Sequence, residues 1–171
     1  MNMTRRALAS ASLALFLQTP LGAQEAAVPL TAQQQFDRVA SWEGRWSVAE
    51  APALQIVFET TARGSTVVER WETGGRLHSM TVYHMDGEAL VATHYCPQGN
   101  QPRLEARASA DGAVRFVFRD VTGLDEGESH AHALWFTTGP ADTLVRSEIY
   151  TGPEGLAAPT SYTLARITPA G

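Results

Sequence analysis

The chain contains no lysine, so all 13 of its basic residues are arginines. Acidic residues outnumber them at 18, which gives a net charge of −5. Without Arg5 and Arg6 near the N-terminus, 11 basic residues face 18 acidic ones, a net charge of −7. The arginines form no basic stripe, and a protein that binds nucleic acid needs one to neutralise phosphates. We therefore expect no nucleic-acid partner.

Cysteine is almost absent as well, because Cys96 is the only one. A single thiol excludes any disulfide within the chain. In an oxidising compartment a lone thiol survives best when it is buried. We therefore expect Cys96 to point inward.

The chain also lacks an apolar run long enough to span a membrane comfortably. Its longest candidate, Ala7–Leu17, is too short and lies close to Pro20. A pair of arginines precedes this run and the small residue Ala23 follows it, which is the pattern of a secretory signal. We expect a periplasmic or secreted protein without a membrane span. The predicted organisation is a signal peptide at 1–23, a linker at 24–30 and one barrel domain at 31–171.

The residue pattern changes at Gly44-Arg45-Trp46. Before this point, Thr31 is a suitable N-cap, and Phe36 and Val39 recur at helical spacing. This spacing predicts one short helix over 31–41.

After that point, alternating segments are separated by tight turns at Arg63-Gly64, Asp86-Gly87 and Asp111-Gly112. Asp-Gly suits a two-residue hairpin because both turn positions require positive φ. The pattern predicts an all-β, antiparallel up-and-down barrel of about ten strands. The expected strands are 45–50, 53–62, 65–73, 77–85, 88–96, 103–110, 113–120, 129–138, 142–151 and 159–168.

Glu69 is the most unusual residue of the predicted interior. Pairing around Arg63-Gly64 places it on one face with the apolar residues Phe58 and Trp71. A buried carboxylate needs a partner or a raised pKa. We expect an arginine from across the lumen, Arg103 or Arg146, and the alternative is a carboxylate that faces a ligand or handles a proton.

The hairpin around Asp86-Gly87 has two faces of less distinct character. One carries His78, Met80, Val82 and His84. We favour the other as the lumen because it resembles a small pocket wall of mixed polarity, which places Tyr83, His94 and Cys96 inside. Its members are Leu77, Ser79, Thr81, Tyr83, Leu90, Ala92, His94 and Cys96.

His130 and His132 are two residues apart on a predicted strand, so we expect both to point to the same face as Leu134 and Phe136. A third ligand, such as His94 or Glu69, would complete a metal site. The alternative is one histidine that is hydrogen-bonded in the wall and another at the solvent rim.

Cys96 and His94 share a strand face, which invites comparison with a Cys/His nucleophile pair. Side chains at i and i+2 lie about 7 Å apart along a strand, which is long for direct proton transfer. We therefore assign no catalytic residue and expect binding rather than catalysis.

The segment from His94 to Arg103 is the least generic of the chain, since two prolines and a glycine fix an irregular connection. Asn100 would supply amide groups and Arg103 a forked cation for an anionic or carbonyl-bearing ligand. The alternative is a loop whose polar side chains bond only its own backbone.

Two motifs carry a family resemblance. Thr93-His94-Tyr95-Cys96 followed by Gly99-Asn100-Gln101-Pro102-Arg103 resembles a family of exported bacterial proteins of uncharacterised function, and His130-x-His132 is similar to a later strand of that family. The order of a helix, a Gly-x-Trp strand and a meander resembles the lipocalin and fatty-acid-binding group. The resemblance implies a lipocalin-like (calycin, nitrobindin-like) barrel with a ligand cavity. Nitrobindins hold haem through a histidine near the far end of the barrel.

The sequence thus predicts an exported barrel that binds a small, partly apolar molecule in its lumen. One alternative is a haem- or zinc-binding barrel that uses His94, His130 and His132, and another is a structural or protein-interaction module. The expected packed core is Trp46, Phe58, Trp71, Leu90, Phe116, Phe118 and Trp135. The expected ligand-binding residues are Glu69, Trp71, Tyr83, His94, Cys96, Asn100, Arg103 and His132.

Overall fold

The computed structural model of the protein describes residues 28–109 and 111–168. The predicted signal peptide, 1–23, lies outside the described residues, as does most of the predicted linker. Helix α1 spans Ala32–Ala40. The strands are β1 (Gly44–Val48), β2 (Leu54–Thr61), β3 (Thr66–Thr73), β4 (Arg76–Asp86), β5 (Ala89–Tyr95), β6 (Gln101–Arg107), β7 (Val114–Thr122), β8 (His130–Thr138), β9 (Leu144–Gly152), β10 (Gly155–Leu156) and β11 (Thr160–Arg166).

The strands form a closed antiparallel barrel. From β1 to β9, each strand pairs with its neighbours in the chain, and β9 pairs with both β8 and β11. Strand β11 also pairs with β1, where Trp46 lies opposite Arg166, and this pairing closes the cylinder. The two-residue strand β10 extends only the β9 hairpin. The structure therefore confirms a lipocalin-like barrel of ten strands in sequence order with one short N-terminal helix.

Helix α1 packs across one end of the barrel. Thr31 caps it, because its side chain accepts a hydrogen bond from the Gln34 backbone while the Gln34 side chain bonds back to Thr31. Phe36 and Val39 are buried in the core. Arg38 donates to the Gly112 carbonyl at 3.0 Å, which fixes the helix to the β6–β7 turn. The other end carries the β1–β2, β3–β4, β5–β6, β7–β8 and β9–β11 connections and is called the open end below.

An aromatic cluster fills the half of the barrel nearest α1. Phe136 lies at its centre, with ring-centroid distances of 4.6 Å to Trp42, 6.2 Å to Phe58 and 6.4 Å to Tyr83. Tyr83 in turn contacts Phe116 at 5.5 Å. Packed aromatic rings at these separations leave little space in this half. Space for a ligand inside the barrel therefore lies toward the open end, and the clefts of about 430 Å³ and 370 Å³ at the α1 end lie outside this aromatic cluster, beside the helix and the residues that follow it.

Most of the predicted core is confirmed. The side chains of Trp46, Phe58, Trp71, Leu90 and Phe116 are buried in a single cluster. The prediction was wrong for two aromatic residues, because Phe118 is half-buried and Trp135 alternates with Leu134 and Phe136 onto the outer face. There Trp135 packs beneath Arg115, whose guanidinium lies 5.6 Å from the ring centroid.

The favoured face of the β4–β5 hairpin does line the interior. Its residues Ser79, Thr81, Tyr83 and His94 are all buried. Cys96, beyond the end of β5, is half-buried rather than buried.

A register shift near the start of β4 alters the predicted alternation. Trp71 lies opposite Ser79 and Glu72 lies opposite Leu77, so His78 is an extra residue between the two pairs. Leu77 is consequently 55% exposed. His78 contributes to the wall of the open-end cavity instead.

A second register shift lies between Ala131 and Ala133 in β8. Ala131 joins the core cluster with Leu134, whereas strict alternation would have placed His130 and His132 on the Leu134 face. The shift therefore breaks the strict alternation from which a common face of the two histidines with Leu134 and Phe136 was expected. No helix within 28–109 and 111–168 combines the length and apolarity that a membrane span requires.

Candidate ligand-binding site at the open end of the barrel

Glu69 lies at the base of the site, in the middle of the barrel, and is fully buried. Its Oε1 accepts hydrogen bonds from Trp71 Nε1 at 2.6 Å and from Arg146 Nε at 2.7 Å. The Tyr83 hydroxyl donates to Oε2. The expected arginine partner from across the lumen is thus confirmed, and it is Arg146 rather than Arg103. Three donors satisfy this carboxylate without solvent.

Arg146 links Glu69 to a second carboxylate. Its Nη1 donates to Glu148 Oε2 at 2.7 Å, and its guanidinium lies 4.5 Å from the Trp71 ring centroid. Burial by itself lowers the pKa of Arg146, but the charges of Glu69 and Glu148 outweigh burial and raise the pKa above its usual value. The guanidinium therefore remains charged although it is buried.

His94 forms a second hydrogen-bonded chain beside this ion network. Its Nδ1 lies 3.0 Å from Thr81 Oγ1, and its Nε2 lies 3.3 Å from the Tyr150 hydroxyl. Burial, followed by the positive charge of Arg146, lowers the pKa of His94 from 6.5 to about 4. The imidazole is therefore neutral at pH 7. Burial also raises the pKa of Tyr150, which keeps that hydroxyl protonated.

The depressed pKa of His94 predicts a loss of stability in mild acid. The unfolded chain takes up the proton near pH 6.5, whereas the folded protein resists it until about pH 4. The free energy of unfolding should therefore fall between these pH values by up to about 3 kcal/mol through this residue alone. The charged or titratable groups that act on the imidazole are Glu69, His78, Arg146 and Glu148.

Urea unfolding at pH 7 and pH 4.5 measures this effect when the wild type is compared with His94→Gln, which cannot titrate at this position. The wild type should lose more unfolding free energy on acidification than the variant, because all other titrating groups are shared. Equal losses in the two proteins would contradict a buried neutral imidazole.

Two adjoining cavities lie at the open end above these networks. The smaller has a volume of about 170 Å³, and its wall includes Glu148 and Tyr150. The larger is a cleft of about 450 Å³ against the β1–β2 connection, with Ala53 and Leu54 in its wall. Both cavities share Trp71, His78 and Tyr162. The remaining residues of the small cavity are Ser79, His94 and Pro97.

The structure brings together only part of the predicted ligand-binding set. Trp71 and His94 line the small cavity. Glu69 and Tyr83 do not line it, since Glu69 accepts a hydrogen bond from Trp71 beneath the cavity and Tyr83 in turn donates to Glu69. Cys96 is half-buried just beyond the end of β5 and does not line the small cavity.

Several residues of the site were not identified from the sequence. Glu148 and Tyr150 share the strand face of Arg146, so alternation along β9 could have revealed them once Arg146 was assigned to the lumen. Tyr162, on β11, lies in a T-shaped arrangement with Trp71 at 5.1 Å. His78 depends on the register shift in β4, for which the sequence has no signal.

Asn100 and Arg103 lie apart from the cavities. The buried Asn100 amide donates to Glu128 Oε2 at 3.0 Å and to the Ser129 carbonyl at 3.1 Å, and so joins the β5–β6 and β7–β8 connections. Arg103 makes a bidentate ion pair with Asp120, each bond 2.6 Å, and both side chains are over 40% exposed. Neither sequence-based expectation describes these contacts, because both side chains bond other segments of the barrel rather than a cavity or the backbone of their own loop.

His130 and His132 both pack against Phe118, with ring-centroid distances of 4.6 Å and 5.8 Å. His130 Nδ1 also lies 3.0 Å from the Ala131 carbonyl oxygen. Across the described residues, no three histidine, cysteine, aspartate or glutamate side chains lie close enough together to hold a metal ion. The zinc alternative therefore has no clustered ligand set among the described residues. Comparisons with protein-family models and with curated proteins found no match for this chain.

Proposed function

We propose that this protein is an exported, lipocalin-like binding protein that holds a small, partly apolar molecule at the open end of its barrel. The observation that carries the proposal is the pair of adjoining cavities that share Trp71, His78 and Tyr162. Export rests on the signal-like pattern of residues 1–23 and is part of the proposal, as is membership of the exported family that the motifs resemble.

The composition of the walls suits a binding site. Small-molecule sites are mostly apolar, with a few polar groups that fix the orientation of the ligand. Alanine, leucine and aromatic side chains supply the apolar surface of the larger cleft. Ser79, Glu148 and Tyr150 supply polar atoms in the smaller cavity. A ligand can therefore place a polar head in the small cavity and an apolar body in the cleft.

Rigid support beneath the cavity also favours binding over proton chemistry. Both imidazole nitrogens of His94 already have partners in Thr81 and Tyr150. The Glu69 carboxylate is saturated by three donors. These hydrogen bonds hold Trp71 and Tyr150 in fixed positions before a ligand arrives. Less side-chain entropy is therefore lost when the ligand binds.

Titration with the neutral fluorescent dye Nile red tests this proposal. The exposed residue Ala53 lies in the wall of the larger cleft, so Ala53→Trp should obstruct the cleft without disturbing the core. We expect saturable binding of the dye to the wild type and at least tenfold weaker binding to Ala53→Trp. The matched control is Ala108→Trp, an exposed alanine at the α1 end, which should bind like the wild type. Binding that does not saturate, or that Ala53→Trp leaves unchanged, would refute an open-end site.

A further inference from the structure

The small cavity has one carboxylate in its wall and no arginine. Glu148 lines the cavity with 12% of its side chain exposed, whereas Arg146 is 2% exposed and lies behind the wall. Arg146 also makes an ion pair with Glu69, so one guanidinium is shared between two carboxylates. His94, the buried imidazole of this wall, is neutral at pH 7 because its pKa is about 4. The cavity therefore offers a ligand one carboxylate, which is bonded to Arg146 through Oε2 but has no arginine beside it in the cavity wall.

The other side chains of this cavity complement a cation. Trp71, Tyr150 and Tyr162 all contribute aromatic rings to the wall. Aromatic faces attract cations within about 6 Å, and groups of such rings recognise ammonium ligands. Trp71 already binds one cation inside the barrel, because Arg146 lies 4.5 Å from its ring centroid. Three aromatic rings beside a carboxylate form what we call the aromatic cage, defined by Trp71, Glu148, Tyr150 and Tyr162.

The surroundings of the cavity are acidic. The five connections at the open end contain five carboxylates and no arginine. Clefts bordered by charge of one sign raise the local concentration of ligands of the opposite sign. An anionic ligand would find no arginine in the wall of the small cavity with which to pair. Arg76 follows the β3–β4 connection directly and lies opposite Thr73 in the wall of the larger cleft. The five residues are Glu50, Asp125, Glu126, Glu128 and Glu154.

We infer that the ligand carries a positive charge, and that it is an alkyl- or arylalkylammonium compound whose cation occupies the aromatic cage. Its apolar body lies in the larger cleft against the β1–β2 connection. This inference rests on the proposed function, since it specifies the chemistry of the ligand at the same site. It is independent of the export of the protein.

Isothermal titration calorimetry with three phenyl compounds of similar size tests the inference. These are 2-phenylethylammonium, the uncharged 2-phenylethanol and the anionic 3-phenylpropanoate. We expect the ammonium compound to bind at least tenfold more tightly than the alcohol, and the carboxylate to bind most weakly. If the alcohol or the carboxylate binds as tightly as the ammonium compound, the inference is overturned while the binding function stands. If none of the three binds, the inference is also overturned, whereas the proposed function is judged separately by the Nile red titration of the wild type and Ala53→Trp.

Variants test whether the aromatic cage causes the preference for the ammonium compound. Glu148→Gln should weaken binding of the ammonium compound at least tenfold and change binding of the alcohol less than twofold. Glu88→Gln makes the same change of charge at an exposed position at the α1 end, and it should leave both affinities unchanged. Unaltered ammonium binding in a folded Glu148→Gln protein would overturn the assignment.

A second variant keeps the test decisive if Glu148→Gln fails to fold because Arg146 has lost a charged partner. Tyr162 is only half-buried, so Tyr162→Leu should fold while it removes one aromatic face from the cage. Binding of the ammonium compound should weaken about fivefold, in line with the strength of a single cation–π contact. Binding of the alcohol should hardly change, because leucine preserves the apolar surface. Equal losses for both compounds would contradict a cation-selective cage.

Discussion

Replacing Arg146 by methionine should lower the free energy of unfolding by about 3–5 kcal/mol. The guanidinium is 2% exposed and holds Glu69 and Glu148 at 2.7 Å each. Methionine has a similar length but no charge, so the variant leaves the fully buried Glu69 carboxylate without a cation. Loss of a partner costs more than the pair itself contributes, because the remaining buried charge is not compensated. Urea unfolding at pH 7 measures the change.

Two further variants separate this effect from the loss of a long side chain. Arg103→Met removes an arginine from the solvent-exposed pair with Asp120, so it should cost less than about 1 kcal/mol. The double variant Arg146→Met, Glu69→Gln removes the stranded charge and should be more stable than the sum of the two single effects predicts. Additive losses in this cycle, or a loss in Arg146→Met as small as in Arg103→Met, would contradict a buried ion network.

The strand order could be predicted from the sequence because each step of an up-and-down barrel is local. Turns such as Asp86-Gly87 set the pairing of neighbouring strands, and alternation then assigns each face. The register shifts in β4 and β8 escaped prediction because each depends on how one strand follows the curvature of its partner. One of them exposes Leu77 and adds His78 to the cavity, and the other leaves His132 as an extra residue between the Ala131 and Ala133 pairs.

The base of the site was more predictable than its walls. A glutamate on an apolar strand face demands a partner, which is why Glu69 and an arginine could be anticipated. The choice between Arg103 and Arg146 was left open by the sequence, and the structure resolves it because Arg103 is exposed and pairs with Asp120 instead. The cavity itself depends on how five separate strands, β3, β4, β5, β9 and β11, converge at the open end. No pattern within a single strand indicates that convergence.

Replacing Phe136 by alanine should also cost about 3–5 kcal/mol, because truncation of a buried phenylalanine removes apolar contact and leaves a cavity. Its ring contacts Trp42, Phe58 and Tyr83, and it lies 5.9 Å from the Arg146 guanidinium. The aromatic cluster therefore joins the packing beneath α1 to the support of the ligand site. Thermal and urea unfolding measure the loss, and Nile red binding should weaken as the support loosens.

The neighbouring residue provides the matched control. Trp135 is larger than Phe136 but lies on the outer face beneath Arg115, so Trp135→Ala should cost only about 1 kcal/mol and leave binding unchanged. The comparison tests the alternation of β8 after its register shift, since a slip by one residue would exchange the two roles. A larger loss in Trp135→Ala than in Phe136→Ala would mean that β8 presents its opposite face to the core, and the position of the aromatic cluster would then be wrong.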